Sequence, residues 1–299
     1  MGEFDLLTLL EFSLSGLSVG ALYALTAVGF VVVYKATRVI NFAVGDFMML
    51  GAYLFFGLAA GAALPIWLAI VLALAGTGLA GALVERVVFR RMLGESAVSV
   101  FMVTIGLASI MVGLVELIWT ADPRTLPEFM PDEPFFIPVG VGEAFLASKN
   151  GWGLAVSALV IAGFLLAFRF WRGGVALRAT AADQQAAYGM GIDVPGVFSF
   201  AWILGAVSAA GAGILIGALA GISSAMGAIG LSVLVVVILG GLDSILGALV
   251  GGLFIGWLEA MVGLYLGGEY RLVVTFVVLL LILVVKPYGL FGTREIERL

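Results

Sequence analysis

The 299-residue chain contains no cysteine and no histidine. Lack of cysteine removes disulfides, thiolate metal ligands and thiol nucleophiles. Lack of histidine removes the commonest general base and transition-metal ligand, which excludes a serine–histidine triad and a histidine-rich metal centre. Charge is scarce as well: 11% of residues are Asp, Glu, Lys or Arg, for a net charge of −5, where a soluble domain carries about 25%. There is no G-x-x-x-x-G-K-[ST] run to cradle phosphate, no H-E-x-x-H, and no basic face for nucleic acid. Paired carboxylates suited to acid–base catalysis are missing too.

Apolar residues fill the space that charge leaves. They make up 63% of the chain, and the mean hydropathy is +1.23. That is enough for eight or nine helices of about 20 residues, the length that crosses a bilayer. The 42 glycines suit closely packed membrane helices, where small residues let backbones approach. The composition predicts an all-α polytopic membrane protein forming one domain over residues 1–299.

Apolar runs place spans near 12–34, 39–60, 65–84, 97–120, 152–168, 196–221, 226–242, 245–266 and 272–285. The runs flanking residue 40 and the run at 226–242 are the weakest. Glycines and polar residues interrupt several runs, which predicts broken or re-entrant helices, and such backbone survives at membrane depth only inside protein or beside water. Met1–Glu11 carries three acids and no base, unlike the basic start of a secretory signal, so the first apolar run reads as a retained span.

With nine alternating spans and the N-terminus outside, eleven of the 14 basic residues fall on the cytoplasmic side: Lys35, Arg38, Arg86, Arg90, Arg91, Arg169, Arg172, Arg178, Lys286, Arg294 and Arg298. Only Arg124, Lys149 and Arg271 fall outside, as the positive-inside rule requires. The C-terminus is then cytoplasmic. An eight-span chain would need one weak run to be re-entrant.

Two loops are long. The segment 121–150 holds Pro123, Pro127, Pro131, Pro134 and Pro138 and five acids, which predicts a largely non-helical external loop, either a contact surface or a connector. The segment 173–196 is expected in the cytoplasm. Its middle, Val175–Tyr188, favours helix and ends at the stop Gly189-Met190-Gly191, which predicts a helix that docks a partner.

Four acids fall within or beside apolar runs, where each needs a reason: Glu11, Asp46, Glu116 and Glu259. Glu11 is expected at an interface. Asn41 and Asp46 flank Gly45; they either line a polar path or satisfy backbone groups at a helix break. Glu116 and Glu259 are expected to bond to Ser, Thr or backbone on neighbouring helices. Nothing here resembles a proton relay or a coupling-ion site. A faint internal echo pairs GLAGALVE (78–85) with GLFIGWLE (252–259).

Four stretches then resemble one family. VINFAVGDFMMLGAY (39–53) is similar to the INFAHGDFMMLGAY signature of permease subunits from branched-chain amino acid ABC importers, the LivH type within a superfamily that includes LivM and urea permeases. VVVILGGLDSILGALVGGLFIGWLEA (235–260) resembles that family's LGGLGSIPGAxxGGLxLGxxEA, KPYGLFGTREIE (286–297) its RPxGLFGxxxxE, and LRATAADQQAAYGMGID (177–193) its RAxAEDxxxAxLxGI loop. The order matches, and nearly the whole chain is covered.

The resemblance implies a multi-pass permease of a bacterial or archaeal plasma membrane, without catalysis or cofactor of its own. ATP and magnesium would be bound by two partner ATPase subunits. A second LivM-like permease, an external solute-binding protein and membrane lipid complete the expected partners. It also implies a coupling loop: Gln185-Ala186-Ala187 with Gly191 has the form EAA-x-x-x-G, Gln replacing Glu, and Arg178 and Asp183 are expected to pair across the ATPase interface. Asn41, Gly45, Asp46, Thr104, Ser223 and Ser224 are the candidate translocation-path residues. Val44 stands where the family's motif has histidine, which leaves the cargo open between branched-chain or other small amino acids and urea, short amides or another small solute. Phe42 and Asp46 side with amino acids. A stand-alone small-solute channel is the competing reading, and a membrane-embedded enzyme lacks a catalytic cluster.

Overall fold

The computed structural model describes residues 6–92, 94–139 and 142–293. The chain is helical almost throughout: α1 (Leu6–Thr37), α2 (Val44–Phe56), α3 (Ile66–Val87), α4 (Ala97–Trp119), α5 (Ser148–Phe170), α6 (Arg172–Ala182), α7 (Gln184–Gly189), α8 (Val194–Ala220), α9 (Ile229–Gly240), α10 (Ile245–Tyr265) and α11 (Arg271–Val285). Among the described residues eight helical segments are long and apolar enough to span a membrane, and Ser224–Gly240 is a shorter apolar run. The expected architecture is therefore present.

The short run resolves the choice between eight and nine. At the end of α8, Ile222 exchanges backbone hydrogen bonds with Arg124, just beyond α4 (2.8 Å each way). At the other end of the run, Leu239 and Gly240 accept from Leu290 and Phe291, just beyond α11 (2.8 and 3.0 Å). Ser224–Gly240 thus passes from one face of the bundle to the other as a 3-10 turn (Ser224–Ala228) followed by α9. Among the described residues nine helical segments then alternate between the two faces, eight of them long and apolar enough to span a membrane. The other weak region is broken too: 38–43 is irregular, α2 ends in a π turn over Gly57–Gly61, and the expected 39–60 span starts five residues later, at Val44.

α1 is the axis. Of its best apolar window 89% is buried, against 17% for α4 and α5 and 11% for the last span. Gly16 and Gly20 of α1 meet Gly252 and Gly256 of α10; a Cβ on Gly20 would stand 2.9 Å from Leu253 Cα. α8 packs on α1, α2 and α3, with Gly205 against Val33 and Gly81 against Trp202 and Ala206. These contacts use van der Waals packing at close range, since apolar burial gains little inside lipid.

At the face where α1, α3, α5, α9 and α11 end lie Lys35, Arg38, Arg86, Arg90, Arg91, Arg169, Arg172, Arg178 and Lys286; Arg124, Lys149 and Arg271 lie at the opposite face. Arg294 and Arg298 fall outside the described residues. α6 and α7 form a small foot on the first face, separated because Asp183 takes an extended conformation (φ −157°, ψ 113°) and caps α7. A single helix over 175–188 was expected; the cap breaks it. On the opposite face the proline-rich loop carries a hairpin, β1 (Phe135–Val139) antiparallel to β2 (Gly142–Leu146). Its Phe145 amide donates to Glu11 Oε1 (2.7 Å), so Glu11 sits at the end of a span as expected and holds the loop down.

Candidate functional site

After α1 the chain turns at Arg38 (φ 57°) and the Asn41 side chain accepts from the Ala43 amide at 3.0 Å. Asn41 therefore satisfies backbone at a helix break. Gly45 and Asp46, in the first turn of α2, are buried and lie against the 224–228 turn: the Asp46 carboxylate reaches Gly227, and a side chain at 45 would strike the Gly227 carbonyl and Gly230. Ser223 and Ser224, half-buried, lead into that turn. Thr104 is buried on α4, which packs on both α2 and the turn, and its hydroxyl donates to Phe101 O of its own helix (2.8 Å). The structure thus brings Gly45, Asp46 and Ser224 to one place. Asn41 sits one bend away, and Thr104 offers packing more than polarity. Val44 is buried and faces Gly230.

Two cavities flank this region. One of about 430 Å³ opens at the foot face between the end of α1, the turn after α3 and the start of α4, lined by Arg38, Ile40, Phe89, Glu95, Phe101 and Gln184. Phe101 stacks edge-on with Phe42, ring centroids 4.7 Å apart, so the cavity ends beneath the start of α2. A larger one of about 550 Å³ lies between α1, α3, α5 and α8, lined by Leu25, Ile70, Leu74, Val156 and Ile214. It is apolar and lies apart from Asp46, so the smaller, more polar cavity is the better entrance to the polar residues.

Of the two remaining acids, only Glu259 is engaged by neighbouring helices. Glu259 accepts from Tyr23 Oη (2.9 Å), Ser232 Oγ (2.8 Å) and Thr275 Oγ1 (3.3 Å), tying α10 to α1, α9 and α11. That matches the expectation for Glu259. Glu116 is half-buried near the end of α4, and among the described residues its carboxylate accepts no hydrogen bond. The two motifs at 235–260 and 286–297 meet: Gly241 (φ 107°) abuts Gly292, and Asp243 accepts from the Thr293 amide (3.3 Å). A left-handed turn at such close quarters requires glycine.

On the foot, Asp183 Oδ1 accepts from the amides of Gln185 (2.8 Å) and Ala186 (2.9 Å). Arg178 donates to Phe168 O and Arg169 O at the end of α5. Both side chains expected to pair across an interface are therefore engaged within the chain, where they shape the foot. Ala187 is buried against Leu177, Val197 and Phe198, while Gln185, Ala186 and Gly191 (φ 82°) are exposed. Tyr188 and Met190, exposed beside them, and Gln184, which donates to Ala36 O at the end of α1 (3.2 Å), escaped the sequence reading. Their side-chain types carry no motif; exposure alone marks them.

Comparison with known proteins adds the following. Residues 12–283 match the family model described as branched-chain amino acid transport system / permease component. The chain is 32% identical over 302 residues to the high-affinity branched-chain amino acid transport system permease protein LivH of Salmonella typhimurium, covering 95% of this chain and 96% of the relative. It is 30% identical to the corresponding protein BraD of Pseudomonas aeruginosa over 294 residues, with the same coverage. Identity to a probable branched-chain amino acid transport permease protein LivH of Methanocaldococcus jannaschii is 29% over 300 residues, covering 93% and 91%. The fold is similar to that of PsaBC from Streptococcus pneumoniae, solved in complex with Fab, at a TM-score of 0.50 and 11% identity over 92% of this chain and 90% of that one.

Proposed function

This chain belongs to the family of permease components of branched-chain amino acid transport systems, and from that premise we propose how it works: as the membrane-spanning subunit through which an ABC importer admits branched-chain or other small amino acids. The observation that carries the reading is the match along nearly the full length to relatives named for that transport. The chain itself catalyses nothing and holds no cofactor in this scheme. Two separate ATPase subunits bind ATP and magnesium, a second permease completes the membrane unit, and an external solute-binding protein delivers the cargo.

The exposed side of the foot, Gln185, Ala186, Tyr188, Met190 and Gly191, is the ATPase contact, with Asp183 and Arg178 holding its shape. Small Ala186 permits close approach while Ala187 anchors α7 to α8. The excess of basic residues on the foot face argues that this face is cytoplasmic, which puts the N-terminus outside and the C-terminus inside a plasma membrane. The translocation path follows Asn41, Gly45, Asp46, Thr104, Ser223 and Ser224. Asp46 and the two serines are its polar groups, Asn41 fixes the bend, and Gly45 and Thr104 keep the wall close. Phe42 and Asp46 favour an amino acid as cargo. Val44 acts through packing against Gly230, so its replacement of histidine bears on the wall of the path rather than on a direct contact.

Two outcomes test this. The tagged chain, purified from its native membrane into lipid discs, is expected to bring ATPase subunits and a second permease with it. Ala186→Trp, on the exposed side of α7, is expected to lower both ATPase recovery and uptake by about tenfold or more, a loss of roughly 1.4 kcal/mol or more. A chain that purifies alone and passes solute without ATP overturns the reading and favours a channel. Asp46→Leu is expected to keep the ATPases bound yet lower uptake about tenfold, as loss of a charged hydrogen-bonding group of roughly 1.5–3 kcal/mol would; wild-type uptake in that variant removes Asp46 from the path.

A further inference from the structure

Where α3 ends and α8 begins, four groups form a closed cluster that no motif announces. Glu85, in the last turn of α3, is 1% exposed. Both its carboxylate oxygens accept from Arg90, in the 3-10 turn that follows α3 (Arg90 Nε to Oε1, 3.0 Å; a terminal nitrogen to Oε2, 2.8 Å). Pro195 O (3.0 Å) and Ser199 Oγ (2.8 Å), in the first turns of α8, lie within hydrogen-bond distance of the same terminal nitrogen, whose two hydrogens these acceptors and Glu85 Oε2 share. Ser199 Oγ in turn donates to Glu85 Oε2 (2.6 Å). One guanidinium thus holds three pieces of chain. A planar fork can do this where a lysine ammonium, a point charge, makes no such paired contact. Phe89 stacks on Trp202 one turn further along α8, ring centroids 4.6 Å apart and planes 20° apart.

The position of the cluster is the informative part. α8 starts at Val194, five residues after α7 ends at Gly189. The turn that carries Arg90 is followed by α4, whose Phe101 packs on Phe42 ahead of the polar first turn of α2. The cluster therefore stands between the foot and the helices that carry Asp46 and Thr104. We propose that Glu85, Arg90 and Ser199 are positioning residues that make the start of α8 and the end of α3 move as one body, so that displacement of the foot reaches the α2–α4 pair. This rests on the reading of the foot as the ATPase contact. A buried carboxylate gripped at both oxygens by a partly exposed guanidinium that also bonds α8 has the rigidity such a link needs. Two elements fastened in this way can transmit a shift that separate elements would absorb.

The test uses the whole transporter in proteoliposomes, with cargo uptake and ATP hydrolysis measured together. Glu85→Gln and Arg90→Met are expected to keep ATPase recovery and ATP hydrolysis near wild type, while cargo moved per ATP falls about tenfold, within the usual range of coupling between sites. Arg90→Lys, which keeps the charge and loses the fork, is expected to fall with them. Ser199→Ala is expected to lower the ratio by a smaller factor and Ser199→Thr to restore it, which a purely structural role for the pair would not produce. Variants that assemble and keep the wild-type ratio overturn the proposal. Should Glu85→Gln fail to assemble, the serine pair decides: equal ratios in Ser199→Ala and Ser199→Thr assign the cluster to stability alone and sink the link. Wild-type chain that recovers no ATPase refutes the foot reading itself, a result separable from either.

Discussion

Gly45→Val is expected to prevent stable folding of the permease, and Gly45→Ala to weaken it measurably. The position has no room on any side: where a Cβ would stand, the Gly230 backbone nitrogen and Cα lie 2.7 and 2.8 Å away, and the Gly227 carbonyl is closer still. All of these are backbone atoms, which cannot rotate aside as a side chain would. Overpacking typically costs about 1–3 kcal/mol, and a rigid wall places valine at or beyond the upper end. The 224–228 turn would have to leave α2, taking with it the contact between Asp46 and Gly227. Thermal unfolding of the purified protein in lipid discs reads the loss, and protease access to the turn locates it. A valine variant that melts with wild type and protects the turn equally would show that the two segments are not in contact.

Glu259→Ala is expected to be the most damaging single change among the buried acids. It strands three hydroxyls, those of Tyr23, Ser232 and Thr275, on three different helices. Interhelical hydrogen bonds within membranes contribute about 0.6–1.7 kcal/mol each, so three together place the loss at roughly 2–5 kcal/mol before any cavity is counted. Glu259→Gln keeps one acceptor oxygen and offers an amide that Tyr23 Oη can accept from, so it is expected to lose about a third as much. The comparison of the two by thermal unfolding separates hydrogen bonding from side-chain volume. Equal, wild-type-like melting in both variants would mean that the cluster contributes nothing.

Much of this molecule is legible in its sequence, and the unreadable parts share a cause. Long apolar runs announce α1, α3, α4, α5, α8, α10 and α11 because a 20-residue requirement leaves little freedom. The foot announces itself by a helix-favouring segment among spans, and the bend at Asn41 by polar residues beside a glycine. What escapes reading is pairing at a distance. Tyr23 and Glu259 are 236 residues apart, and Arg90 and Ser199 are 109 apart; no local pattern joins them. The apparent echo of Glu85 and Glu259 is instructive here. Each ends a small-residue-rich stretch and each is buried, yet one faces a guanidinium and the other three hydroxyls. Similar strings bury an acid in each helix, in the last turn of α3 but more than a turn before the end of α10, and the neighbours decide its chemistry. The hairpin escaped for another reason: five prolines forbid helix, but they do not say what replaces it.

The enclosure of α1 has a consequence in time. It is the first of the described helices to be synthesised and it ends up at the centre, with α8 and α10 closed around it. Its glycine face waits for Gly252 and Gly256, which emerge only after six further passes have been inserted. Until then the helix stands in lipid or in the insertion machinery with its packing face unmatched. The order of birth and the order of packing therefore run in opposite directions, and the bundle closes only when its penultimate pass arrives.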